Sequence, residues 1–147
     1  MSITEKQILK ADLSAGFRME GYWVWCGSVL KGSDGYHMYA ARWSKEHPMF
    51  TGYIYQSEIV HAFSETMCGP YRFVEKVLPS GADPSAWDGR MTHNPTVLRY
   101  GNSYLLYYIG TTYSEKNPRI TDHDPLLTDA IYKRIRIGVA IANSPAG

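Results

Sequence analysis

The sequence is poor in the features that define several large protein classes. Only two of its 147 residues are cysteine, Cys26 and Cys68, and no Cys-x-x-Cys pair occurs, which argues against a disulfide scaffold and a thiolate zinc site. Fifteen basic and fourteen acidic residues give a net charge of +1, without the basic excess of nucleic-acid-binding proteins. No apolar run approaches the roughly 20 residues that span a bilayer. We therefore expect neither nucleic acid nor membrane as a partner.

The amino-terminal segment lacks the apolar core of a signal peptide. Residues 1–20 form a polar leader in which only residues 5–13 have weak helical character. Since nothing in this leader indicates secretion, the sequence predicts a cytoplasmic protein.

Aromatic residues and turn formers are abundant instead. The chain contains 12 Tyr, 4 Trp and 4 Phe, together with 13 Gly and 8 Pro. This composition suits short strands joined by tight turns, with ring surfaces that can stack on a flat ligand.

The hydrophobic pattern predicts an all-β meander. Predicted strands cover residues 22–32, 36–43, 54–64, 71–79, 95–100, 103–110 and 134–142. Asp34-Gly35 and Gly101-Asn102 have the residue types of tight hairpin turns. Residues 43–55 and 111–133 are predicted to be polar loops.

The strands repeat at a fixed distance along the chain. Ser28-Val29-Leu30 corresponds to Thr96-Val97-Leu98, and Tyr36 to Tyr104, each 68 positions later. A long repeat with four strands per unit is typical of β-propeller blades, although two similar hairpins in a β-sandwich would also fit. We predict about two four-stranded blades, the first over residues 21–79 and the second, incomplete, over residues 80–147.

Two blades are fewer than the about 4–8 that close a propeller. We therefore expect the chain to be one part of a larger protein, whose remaining blades complete the ring. Assembly of several copies of this chain is the alternative. We favour the larger protein, because an edge strand left unpaired inside a blade is an aggregation hazard.

The segment PTVLRYGNSYLLYYIGTT and the later RIGVAIANSPAG resemble the blade pattern of five-bladed β-propeller glycosidases, the clan of arabinanases, β-xylosidases and invertases, and family 43 in particular. The resemblance covers about residues 21–147. It implies a glycoside hydrolase-like protein that acts on or binds a carbohydrate, held at the face where the inner strands begin. It implies no cofactor, but leaves room for a structural calcium ion near the propeller axis.

The sequence departs from this clan at the residues that carry catalysis. The clan's catalytic base is an Asp at the start of the first inner strand, where this chain has Cys26. A second Asp of the clan, which tunes the pKa, often opens a later inner strand, where this chain has Asn94. The general acid would lie beyond residue 147. We expect the full-length parent to be a glycosidase and this portion alone to be inactive; the alternatives are a non-catalytic carbohydrate-binding or scaffolding propeller and a self-assembling partial propeller.

Propeller geometry brings the inner-strand starts and the adjoining loops to one face, and the candidate site residues lie at that face. The catalytic candidates are Asp88, Glu58 and His93. The substrate-binding candidates are Trp25, Arg42, Trp43, Arg90 and Asn94. Carboxylates and a near-neutral imidazole can transfer protons, arginine offers a planar fork of donors, and tryptophan can stack on a sugar ring.

Each candidate also has a purely structural interpretation. Asp88-Gly89 can be a turn, Glu58 can form a cross-strand salt bridge, the arginines can brace neighbouring blades, and the tryptophans can belong to the core. Asp122-His123-Asp124 has the composition of a metal site, but its long polar loop favours solvation. We predict no metal site.

Overall fold

The computed structural model describes residues 10–113 and 125–146. Within these ranges, seven strands form two antiparallel sheets in which each strand pairs with the next along the chain. The first sheet contains β1 (Tyr22–Lys31), β2 (Tyr36–Ser44), β3 (Glu58–Ser64) and β4 (Arg72–Leu78), and the second contains β5 (Met91–Tyr100), β6 (Ser103–Thr111) and β7 (Arg136–Ala142). The predicted all-β meander is confirmed.

Two short helices lie where loops were predicted. α1 (Met49–Gln56) follows β2, and α2 (Pro125–Tyr132) precedes β7. The strand predicted from residue 54 therefore begins too early, because residues 54–56 are helical and β3 begins at Glu58. Residues 10–13 are not helical either, and the rest of the predicted leader helix lies outside the described residues.

Tertiary packing explains why α1 forms. Its sequence, MFTGYIYQ, contains β-branched and aromatic residues that favour strands when considered alone. Ile54 and Tyr55 are nevertheless buried in one cluster with Tyr113 and with Ile131 of α2. This burial outweighs the weak helix propensity, since propensities differ by less than about 1 kcal/mol per residue.

The 68-residue repeat is visible in the backbone. β1 has an irregularity between Trp25 and Ser28, and β5 has the same irregularity between His93 and Thr96. Cys26 and Asn94, inside these two bulges, have positive φ angles of 53° and 50°. A bulge bends a strand and re-aims its side chains, so both inner strands change direction at their starts.

The two sheets pack face to face around one core. Its buried members are Tyr39 and Ile59 from the first sheet and Val97, Leu106 and Tyr108 from the second. The backbone N–H of Val97 donates to Ser28 Oγ at 3.0 Å, which joins β1 to β5. Trp25 and His93, near the starts of these two strands, line one cavity, so both starts lie at the same end of the molecule.

Part of the predicted leader also packs on the first sheet. The Gly16 N–H donates to the Cys68 carbonyl at 2.7 Å, and the Tyr71 N–H donates to the Gly16 carbonyl at 2.8 Å. No helix among the described residues is long and apolar enough to cross a membrane.

Candidate functional site

A pocket of ≈ 240 Å³ lies near the starts of β1 and β5, and α1 forms part of its wall. Its lining residues are Trp25, Trp43, Met49, Phe50, Tyr53, His93 and Asn94. This volume is below the range of about 300–1,000 Å³ found for pockets that bind drug-sized ligands. The pocket is therefore large enough for a single small ring of a ligand. The lining is mainly aromatic, and it contains no charged carboxylate, ammonium or guanidinium group among the described residues.

The bulges place the pocket residues contributed by the two inner strands. Trp25 and His93 each precede a residue with a left-handed backbone, and they are equivalent in the repeat. Trp25 is 50% exposed, whereas His93 is only 4% exposed. One strand therefore provides an accessible ring surface and the other a buried imidazole.

Close packing of α1 on Trp43 forms the opposite wall. Trp43, near the end of β2, is buried, and its ring lies 6.1 Å from the Tyr53 ring of α1. A Cβ atom at Gly52 would be 2.7 Å from Trp43 Cδ1, so only glycine lets the helix come this close. Trp43 and Tyr53 thereby enclose His93, with ring centroids 5.5 Å and 4.5 Å from it.

The imidazole of His93 is held in a defined position and is neutral. Ser57 Oγ lies 2.7 Å from His93 Nδ1. Burial lowers the pKa of His93 to about 4, because a desolvated imidazolium is costly. Near pH 7 the ring therefore acts as a neutral hydrogen-bonding group.

Tyr53 is neutral near pH 7, as an ordinary tyrosine is, and burial strengthens this preference. Burial, together with its hydrogen-bonding neighbour Tyr132 of α2, raises the pKa of Tyr53 to about 12. The described pocket is thus uncharged at neutral pH, and the amide of the exposed Asn94 at its rim adds further donors and an acceptor.

The structure brings four of the eight predicted site residues together and leaves four outside the pocket. Trp25, Trp43, His93 and Asn94 line it. Glu58, Arg42, Asp88 and Arg90 do not.

Glu58 and Arg42 form a cross-strand ion pair, which was the structural alternative for Glu58. Arg42 Nη2 lies 2.9 Å from Glu58 Oε1, and Lys76 Nζ lies 3.3 Å from Glu58 Oε2. The Arg42 guanidinium also lies over the rings of Tyr22 and Phe73, at 4.3 and 4.6 Å. The Arg42 guanidinium and the Glu58 carboxylate therefore bind partners within the first sheet.

Asp88 and Arg90 are also engaged in packing. The Tyr108 hydroxyl donates to Asp88 Oδ2 at 2.5 Å, and Trp87 stacks on the Tyr108 ring at 5.8 Å. Burial and this carboxylate raise the pKa of Tyr108. The Arg90 guanidinium lies over the Tyr113 ring, 5.2 Å from its centre.

Sequence reasoning missed the residues that α1 contributes, because it predicted a loop there. Met49 and Tyr53 are spaced i, i+4 and follow Pro48, a combination that can mark the start of a helix. Asp122-His123-Asp124 lies outside the described residues. Among those described, no group of three or more His, Cys, Asp or Glu residues could hold a metal ion. The structural calcium ion for which the resemblance leaves room stays an expectation of that resemblance.

Comparison with known proteins gives no match by sequence but clear matches by structure. No protein-family model and no curated protein matches the chain. A family 117 glycoside hydrolase, Zg3597 from Zobellia galactanivorans, matches with a TM-score of 0.60 at 18% identity over 86% of this chain and 37% of its own. CoXyl43, a family 43 β-xylosidase/α-arabinofuranosidase from a compost metagenome solved with xylotriose, matches with a TM-score of 0.57 at 17% identity, over 88% and 34%.

A further match is a family 43 enzyme from Xanthomonas citri, also complexed with xylotriose. It has a TM-score of 0.55 at 12% identity, over 90% of this chain and 32% of its own. At such identities the likeness shows the fold alone, and it confirms the predicted β-propeller architecture. The chain spans about a third of the length of these structures.

Proposed function

We propose that this chain forms part of a five-bladed, glycosidase-like propeller and that its pocket binds a neutral carbohydrate. The observation that carries the proposal is the composition of the pocket, in which aromatic rings surround one neutral imidazole and one amide. The C–H bonds on one face of a sugar ring are weakly positive and pack well on the negative face of an aromatic ring. The imidazole and the amide can then bind the hydroxyl groups that project from the edge of the sugar.

The absence of charge in the described pocket lining favours a neutral sugar over a uronic acid. A carboxylate ligand would require a nearby cation, but Arg42 lies between Tyr22 and Phe73, and Arg90 lies over Tyr113. Two of the structures with the same fold are complexes with xylotriose. Neutral xylo-oligosaccharides are therefore the first ligands to test.

Hydrolysis is the second candidate function, and it is supported by the fold and not by the pocket. Glycoside hydrolysis normally uses two carboxyl groups beside the scissile bond. The described residues place none in the pocket lining, and Glu58 and Asp88 are bound to Arg42 and Tyr108. A hydrolase would have to obtain its carboxyl groups from outside the described residues.

Calorimetric titration tests the binding proposal. We expect xylotriose to bind the wild-type chain and Trp25→Ala to weaken binding about tenfold, equivalent to ~1.4 kcal/mol. Tyr100→Ala is the matched control, because Tyr100 is 75% exposed and lies outside the pocket. Lack of binding by any neutral oligosaccharide, or equal losses in both variants, would contradict the proposal.

An aryl-glycoside assay separates binding from hydrolysis. We expect no turnover by this chain and, for any longer protein that contains it, activity that survives Glu58→Gln and Asp88→Asn in correctly folded protein. Loss of turnover in either variant, without loss of stability, would show that these carboxylates are catalytic after all.

A further inference from the structure

Ser57 is a buried hydroxyl in direct contact with the histidine of the pocket. It lies between α1 and β3, is 0% exposed, and its Oγ is 2.7 Å from His93 Nδ1. Its carbonyl accepts a hydrogen bond from the Thr92 N–H at 3.0 Å. Ser57 is thus fixed against the start of β5 by both its backbone and its side chain.

Hydrogen-bond accounting determines the direction of the bond between Ser57 and His93. A serine hydroxyl has a single proton to donate, and within the described residues His93 is the partner of Ser57 Oγ. If His93 donated from Nδ1, the buried hydroxyl proton would have no acceptor, which is unfavourable. If Ser57 donates to Nδ1, its proton is satisfied and the single proton of the neutral ring is on Nε2.

The packing around His93 determines which part of the ring meets a ligand. Tyr53 and Trp43 contact the ring, with centroids 4.5 and 5.5 Å away, and Nδ1 is occupied by Ser57. Nε2, the other ring nitrogen, has no hydrogen-bond partner among the described residues and is not one of their fully buried unpartnered nitrogens. Because His93 lines the pocket, the edge that carries Nε2 is the one available to a ligand.

We propose that Ser57 is a positioning residue that holds His93 as its Nε2–H tautomer, so that the His93 ring presents an N–H donor to the pocket beside its aromatic rings. This inference rests on the proposed function of the pocket and adds a specificity to it. The ligand must carry an oxygen acceptor, a hydroxyl or ring oxygen, next to an apolar ring face. A sugar in which hydrogen replaces that hydroxyl should bind more weakly, since the donor would lose its partner.

Nitrogen-15 NMR of the histidine rings tests the tautomer directly and needs no ligand. We expect Nε2 of wild-type His93 to show the shift of a protonated ring nitrogen and Nδ1 that of an unprotonated one. In Ser57→Ala we expect a mixture of both tautomers. Ser64→Ala is the control, because Ser64 is a buried serine of β3 that bonds to the Thr66 N–H and not to His93.

Xylotriose binding to the same variants tests the consequence for recognition. We expect Ser57→Ala to weaken affinity by about three- to tenfold and Ser64→Ala to leave it unchanged. A wild-type Nδ1–H tautomer, or a Ser57→Ala spectrum identical to wild type, would overturn the proposal. If the Nε2–H tautomer is present but no sugar binds, the proposed function fails and the positioning role of Ser57 stands.

Discussion

Cys26 and Asn94 occupy equivalent backbone positions in the two sheets, and both have left-handed φ angles, 53° and 50°. Asparagine tolerates this conformation better than most residues, whereas an ordinary side chain is strained by roughly 1–2 kcal/mol. These are also the positions at which the sequence lacks the carboxylates of the clan that it resembles. The backbone supplies a second reason to prefer Asn or Asp at such a site.

Cys26→Asn should therefore stabilise the protein. We expect the free energy of unfolding, measured by urea denaturation, to rise by about 1 kcal/mol because the strain is relieved. The reciprocal change, Asn94→Cys, should lower it by a similar amount. A Cys26→Asn variant that is no more stable than wild type would show that the half-buried thiol makes contacts that offset the strain.

His93 should make stability depend on pH below neutrality. Burial lowers its pKa from 6.5 to about 4, so between these pH values the unfolded chain binds a proton that the folded chain does not. The free energy of unfolding is then unaffected by His93 above pH 6.5 and falls as the pH decreases towards 4, by about 3 kcal/mol in total. Burial lowers the pKa of His61 as well. His61 therefore also reduces the free energy of unfolding as the pH decreases.

His93→Asn isolates this contribution, because asparagine does not titrate. Urea denaturation at a series of pH values should show a shallower loss of stability in the variant between pH 6.5 and 4, with the part due to His61 remaining. An unchanged pH dependence would mean that His93 is protonated as readily in the folded chain as in the unfolded one.

Trp25, Trp43, His93 and Asn94 lie near strand ends on the face expected to bind the ligand, and the structure brings them together in one pocket. That they bind a ligand stays a prediction. The roles of Glu58 and Asp88 could not be separated by sequence, since a carboxylate that binds an arginine or a tyrosine has the same local pattern as a catalytic one.

Among the elements, α1 decides the shape of the pocket. It contributes Met49, Phe50 and Tyr53 to the lining, and its close approach depends on Gly52. The strands were predictable from apolar patterning and turn residues, because these signals are local. α1 was not, because its stability comes from contacts with Trp43, Tyr113 and α2 that are distant in sequence.

Gly52→Ala tests this packing, because close packing predicts a loss of stability where helix propensity alone predicts a gain. Alanine usually stabilises a helix interior by about 1 kcal/mol relative to glycine. Here the new Cβ would meet Trp43 Cδ1 at 2.7 Å, and overpacking typically costs about 1–3 kcal/mol. We therefore expect a net loss of stability of about 1 kcal/mol in urea denaturation and weaker xylotriose binding.

Phe50→Ala is the matched control for this helix. Phe50 is 78% exposed but lines the pocket, so its removal should weaken binding while changing stability by less than about 0.5 kcal/mol. A more stable Gly52→Ala variant would mean that α1 does not pack on Trp43 as described.

At the scale of the whole molecule, the two sheets share one core and should unfold together. Ile59 of β3 is fully buried and belongs to the cluster that also contains Val97 and Leu106 of the second sheet. The internal repeat predicted two similar units, but it could not show which faces meet, because residue alternation does not distinguish one neighbour from another.

Ile59→Ala should therefore destabilise both sheets by about 2–5 kcal/mol. Hydrogen exchange should show faster exchange in β6 as well as in β3, whereas Ile137→Ala, at a 77% exposed position, should leave both unchanged. Unaltered protection of β6 in the Ile59 variant would show that the sheets are independent.

The four tryptophans provide the most direct test of the proposed carbohydrate site, because they report on it with internal controls. Trp25 and Trp43 line the pocket, whereas Trp23 and Trp87 lie outside it. In an NMR titration of the wild-type chain with xylotriose, we predict saturable shifts of the Trp25 and Trp43 indole N–H signals and none for the other two. Shifts at Trp23 or Trp87 alone, or no shift at any tryptophan with neutral oligosaccharides, would contradict a sugar site at the start of the inner strands.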